Sequence, residues 1–172
     1  TGPRVTVRFF GGWGFDAQDT RTRNPAEPGY TKGVPMGSDL RPAPAGVKAP
    51  SFLVAALRDP IGPNLDRLQI VKGWTKSGQS FEKVYDVAWA GARKRDKWTG
   101  VVPPIGSTVD VATASYANTI GAPELATVWT DPEFDPGQAA FYYLRAIEIP
   151  TPRWPLRSAP PHALISTNGW SG

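Results

Sequence analysis

The chain has 172 residues, with 19 prolines and 18 glycines making up over a fifth of them, and that load of helix breakers excludes a helical bundle. Seven Trp, five Tyr and seven Phe supply core material for one folded domain, whereas two domains of this combined length would each lack a sufficient core. Lys and Arg number 19 against 15 Asp and Glu, a net charge of +4 spread along the chain, which does not mark a nucleic-acid binder; the absence of Cys removes disulfides, thiol nucleophiles and Cys-held metals.

Residues 4–10 (RVTVRFF) alternate polar and apolar side chains before Gly11-Gly12, the pattern of a half-buried strand. From 11 to 50 no strand is predicted. A short helix is expected near Asp16 to Arg23 with Asp16 as N-cap. A segment of this length is functional or disordered. Its Trp13, Phe15, Tyr30, Val34 and Met36 predict that it packs, with 41–48 as a connector. Strands follow at Ser51–Leu57, a continuous apolar run, and at Asp66–Trp74, where Leu68, Ile70 and Lys72 share one face. Glu82–Trp89 pairs with the latter as a hairpin across the Lys76-Ser77-Gly78-Gln79 turn. Arg93 to Lys97 reads as a solvated basic loop. Further strands are predicted at Thr108–Ala114, Glu124–Thr130 and Ala140–Ile149. For the last, the aromatic and β-branched run Phe141-Tyr142-Tyr143 with Ile147 and Ile149 outweighs a helix starting at Asp135-Pro136. About seven strands with Gly and Pro punctuation predict a mainly β fold, a two-sheet sandwich.

Motifs for chemistry are few. His162, the single histidine, lies in a Pro-rich tail, away from any partner for a metal site or a catalytic triad. Asp131, Glu133 and Asp135 read as an acidic turn, since the Gly and terminal Glu of a calcium loop are missing. Gly11-Gly12-Trp13-Gly14 lacks the spacing and the Lys-Ser/Thr of a nucleotide loop. No cofactor site and no nucleic-acid site are predicted in this chain, and no apolar run approaches the roughly 20 residues that cross a bilayer. Trp13, Trp74, Trp89 and Trp98 could form a sugar-stacking platform; Trp74 and Trp89 are better read as core, leaving Trp98 as the best exposed ring.

Longer blocks carry a resemblance. Residues 1–13 (TGPRVTVRFFGGW), Gly29-Tyr30, 33–37 (GVPMG), Asp39-Leu40, 64–74 (NLDRLQIVKGW), 82–89 (EKVYDVAW), 120–125 (IGAPEL), 128–132 (VWTDP), 140–145 (AFYYLR) and 148–154 (EIPTPRW) are similar, in the same order, to the bacterial family catalogued as domain of unknown function 3604. The resemblance covers about residues 1–154. Ser38 stands where the family pattern has a second glycine, and 155–172 departs from the pattern altogether, so that stretch is expected to be an out-of-family, disordered tail.

The resemblance implies a parent related to PHP-type metal-dependent hydrolases, exported or periplasmic, whose metal-ligand motifs precede Thr1. On that basis 1–154 is an immunoglobulin-like accessory sandwich with one long ordered loop at 11–50, missing its final strand if the tail is foreign. Its partner is the catalytic part of the same protein, which would hold a divalent metal and act on a small-molecule substrate. Trp13, Tyr30, Met36 and Asp39 are the candidate residues lining that site or the domain interface, with no catalytic residue in this chain. A stand-alone carbohydrate-binding module is the alternative.

Overall fold

The computed structural model describes residues 4–152. The strands are β1 (Thr6–Gly12), β2 (Gly33–Pro35), β3 (Ser51–Leu57), β4 (Leu65–Lys76), β5 (Gln79–Trp89), β6 (Glu124–Thr130) and β7 (Ala140–Glu148), with one helix, α1 (Ala26–Lys32), before β2. They form two antiparallel sheets, ordered β2-β1-β3-β6 and β5-β4-β7. Packed face to face, the sheets make a sandwich with no closed barrel, as the strand pattern predicted. β1-β3-β6 and β5-β4-β7 take the places of strands A-B-E and C′-C-F of an immunoglobulin-like sandwich. Among the described residues β7 pairs only with β4, so the position beside it is open.

Alternation decides what meets between the sheets. Phe9 on β1 and Phe52, Val54 and Ala56 on β3 face Leu68 and Ile70 on β4, all buried, with Leu144 and Ala146 of β7 packed against them. The opposite face of the four-stranded sheet is buried too. Phe10 and Leu53 lie there under Phe15 and Ala26, so β3 is buried on both faces from Ser51 to Val54, with Ala55 half-buried and Leu57 exposed at its far end. This explains its unbroken apolar run, which two-sided burial requires.

The cover over that face is the 11–50 segment, and here the structure corrects the expectation. Residues 17–20 form a turn rather than a helix: the Asp16 carboxylate and carbonyl accept from the N–H groups of Gln18 and Asp19. Asp19 itself turns inward, where the Lys32 ammonium reaches it at 2.8 Å. Helix begins instead after Asn24-Pro25, whose fixed φ suits a first turn, with the Asn24 side-chain oxygen accepting from Ala26 N–H. Gly29 of α1 sits against the Phe10 ring, where a Cβ would lie 2.5 Å from its carbons. A close approach of helix to sheet demands this glycine. The segment also contributes β2, a strand too short for alternation to reveal.

Two other corrections concern loops. Residues 108–114 make no strand, but a turn closed by an isolated bridge between Asp110 and Ser115, with Ala114 at φ +49° and the Thr108 hydroxyl donating to the Ala117 carbonyl. The basic loop is not simply solvated. Arg93 donates to the Asp66 and Pro103 carbonyls and pairs with the Asp66 carboxylate at 2.6 Å, while Arg95 donates to the Asp86 carbonyl and lies over the Trp89 ring.

Candidate functional site: an aromatic groove at one end of the sandwich

The strand registers place the ends of β1, β3 and β6 that carry Gly12, Ser51 and Thr130 together, and those of β4, β5 and β7 that carry Lys76, Gln79 and Ala140 likewise. At this end an open groove of about 760 Å³ runs between the 34–43 segment and the 134–142 segment. Met36 N–H donates to the Phe9 carbonyl, extending the β1–β2 pairing by one residue. The chain then turns at Gly37, which takes φ +85°, a left-handed conformation that suits glycine. Ser38 does not share it, so a side chain there is free of backbone strain. The rim that follows, Asp39 to Ala43, is fastened by Trp13, whose indole N–H donates to the Arg41 carbonyl at 2.9 Å while its ring meets Phe134 edge-on across the groove at 5.7 Å.

Aromatic rings form the floor. Phe52 lies 4.5 Å from Tyr142 and 5.5 Å from Phe9. A second hollow of about 590 Å³ adjoins the first through Ala139, Ala140 and Phe141 and adds Trp74 stacked on Phe81. Gly73 makes room for it: on the neighbouring strand Phe141 lies across Gly73, where a Cβ would come within 2.3 Å of the ring.

Of the expected site residues, Trp13, Met36 and Asp39 line the groove. Tyr30 does not. It projects from α1, edge-on to Phe10 at 5.0 Å, on the outer face of the four-stranded sheet. Trp74 is half-buried in the second hollow, and Trp89 is half-buried with its N–H on the Arg93 carbonyl. Among the described residues Trp98 is the exposed tryptophan, as anticipated. His162 falls outside the described residues. Among the described residues no three His, Cys, Asp or Glu side chains converge as a metal site would need, and no helix is long and apolar enough to cross a membrane.

Sequence reasoning missed the polar network beneath the groove. Lys72, in phase with Leu68 and Ile70, points inward and is buried; its ammonium donates to Asp131 at 2.6 Å and to the Glu133 carbonyl at 2.7 Å. Tyr142 donates its hydroxyl to the same Asp131 oxygen at 2.7 Å, and Tyr85 to Glu133 at 2.8 Å. Lys83 pairs with Glu133 and, with Tyr85, holds that carboxyl below the ordinary glutamate range. The acidic turn is therefore a clamp that places Phe134 opposite Trp13. The signal was Lys72 itself: a charge at a core position of a strand requires a buried partner.

Burial, reinforced by the hydrogen bonds donated to carboxylates, pushes the phenols of both Tyr142 and Tyr85 well above their ordinary value of 10.0. Both are expected to stay protonated in an alkaline ultraviolet titration at a pH where an unfolded tyrosine has ionised. The stability they contribute is full below pH 10 and is lost as pH rises through their folded values. Normal ionisation of all five tyrosines in the folded protein would contradict the network.

The groove also depends on close contact between β1 and β2. A Cβ at Gly33 would lie 2.3 Å from the Gly11 carbonyl oxygen and 2.8 Å from the Phe15 ring. Gly33→Ala should therefore push β2 off the sheet, costing about 1–3 kcal/mol by overpacking. A urea midpoint equal to that of the unaltered protein would refute this.

Fold and groove together define a class: a β-sandwich domain with an aromatic, largely apolar cleft at one end. A family profile described as "Protein of unknown function (DUF3604)" matches residues 1–162, and the chain belongs to that family. The match runs past Trp154. No curated protein and no solved structure matches the chain.

Proposed function

We propose that this chain is a non-catalytic accessory domain of a PHP-type metal-dependent hydrolase of phosphoesterase type from a bacterium. It packs on a catalytic part that lies elsewhere in the polypeptide and holds the divalent metal. The observation that supports this best is the surface of the 11–50 segment: Met36 is 57% and Tyr30 is 67% exposed on a segment whose own base is buried. Large apolar side chains held out on a rigid support are what a packing partner covers. Trp13, Met36 and Asp39 are then the residues available to line a shared site. The test is substitution of Met36 and Asp39 in a full-length family member, with hydrolysis of phosphoesters measured under added divalent metal. A reduced rate is expected, and an unchanged one removes the segment from the mechanism.

A second reading is favoured by the rings of the groove. Trp13, Phe141 and the Trp74–Phe81 stack present faces on which sugar rings could lie, as in a carbohydrate-binding module. A saturable change in tryptophan fluorescence during glycan titration would support it, and silence would support the accessory role.

A further inference from the structure

In the three-stranded sheet, the alternation that turns Leu68, Ile70 and Lys72 inward turns Val71 and Gly73 outward, and residues directly opposite on paired strands share a face. The registers therefore read off the outer face. Gly73 lies between Glu82 of β5 and Phe141 of β7, and Val71 lies between Val84 and Tyr143. Arg145 falls on the same face two residues further along β7.

The solvent side of an antiparallel sheet is ordinarily polar. Here the row through Val71 is Val, Val and Tyr from edge to edge. Val71 is fully buried, yet Val84 beside it is 42% exposed and Phe141 is 62% exposed. The Phe141 ring reaches over Gly73 and lies nearly parallel to that of Tyr143, their centres 6.3 Å apart. The charges at the border are of both signs. Glu82 on β5 stands diagonally across the apolar row from Arg145 on β7, and both side chains are about half exposed. They approach each other to 3.9 Å, longer than a hydrogen bond, while Arg145 lies over the Tyr143 ring and donates to its hydroxyl at 2.7 Å.

An anion at one corner, a cation at the opposite one and apolar residues between them make a surface complementary to itself. A second copy, turned by half a turn about the other diagonal, sets its Arg145 over Glu82 and its Glu82 over Arg145, and brings the two Phe141 rings together. We propose that this face joins two copies of the chain in a two-fold dimer. Three strands about 4.8 Å apart and about nine residues long cover on the order of 400 Å² in plan, roughly half of what each partner buries in a standard interface. The dimer is therefore weak and depends on concentration. It goes beyond both readings of function and leaves the Met36–Tyr30 surface free, since Tyr30 lies on the outer side of the other sheet and Met36 at the end of β2.

Sedimentation velocity of the 172-residue chain across the micromolar range tests this. The mass should rise with concentration from 18.6 kDa toward twice that value. Glu82→Arg and Arg145→Glu, both at exposed positions, should each be monomeric, with a urea midpoint at high dilution equal to that of the unaltered chain. An equimolar mixture of the two should recover the dimer, because one face then carries two cations and the other two anions. Phe141→Glu, which sets two carboxylates together at the axis, should be monomeric as well. An unaltered chain that stays monomeric throughout would overturn the proposal. So would a dimer that none of the three substitutions moves, since its contact would lie elsewhere. Loss of association in both charge variants without recovery in the mixture would overturn the two-fold arrangement and the proposal with it.

Discussion

Asp131→Ala should destabilise the domain by about 3–5 kcal/mol, because it leaves the buried ammonium of Lys72 facing an apolar interior with the Glu133 carbonyl as its remaining acceptor. The Asp131 side chain is fully buried and also receives the Tyr142 hydroxyl and the Glu133 N–H, so three donors lose an acceptor at once. Urea unfolding reads the loss directly as a lower midpoint. The double variant Lys72→Met/Asp131→Leu discriminates the cause: removing both charges should recover most of the stability, since the penalty belongs to the orphaned partner rather than to the absent bond. A single variant within about 1 kcal/mol of the unaltered protein would show that Lys72 finds water, contrary to its buried position.

Phe52→Ala is expected to cost about 3–5 kcal/mol, the range for truncating a buried aromatic. Phe52 touches the rings of Phe9, Trp129 and Tyr142, three strands in two sheets. No single neighbour can fill the space, which places the loss toward the upper part of the range. The groove floor goes with it. In the same protein Tyr142 should lose its alkaline resistance, because water would reach the phenol through the vacancy. A midpoint shift confined to a few tenths of a kcal/mol would show that the floor collapses without cost.

Most of the architecture was legible in the sequence wherever a strand ran for seven residues or more. β3 and β6 stand at their predicted bounds, and β1, β4, β5 and β7 differ at their ends. What could not be read was determined by contacts distant in sequence. β2 has three residues and lies close to β1 because Gly33 leaves free the space beside the Gly11 carbonyl and Gly12 that beside the Lys32 carbonyl. α1 is set by Phe10, which requires a glycine at position 29 rather than by any periodicity in 26–32. At 108–114, among the described residues, the one ladder contact is the bridge of Asp110 to Ser115 within the same turn, so no partner strand holds the stretch extended. For the candidate site, Trp13, Met36 and Asp39 come together because Arg41 accepts from Trp13, a link across 28 residues that no local pattern encodes. Tyr30 was drawn in by sequence proximity, and the helix that carries it turns it to the other side of the sheet.

The burial of β3 on both faces bears on the order in which the molecule assembles. β4 and β5 adjoin through a two-residue turn and can pair as soon as both exist, whereas β3 waits for β6, whose strand lies across the whole 58–123 stretch. During synthesis the Ser51–Leu57 run therefore leaves the ribosome with β1 as its sole ready neighbour and one ladder of hydrogen-bonding groups open. Long-range pairing of this kind is slow, and an unpaired apolar edge is where nascent chains stick to one another. The 11–50 segment, made just before β3, is already in place to lay Phe15 and Ala26 over Leu53. One apolar face of β3 can thus be covered before β6 arrives to close its edge.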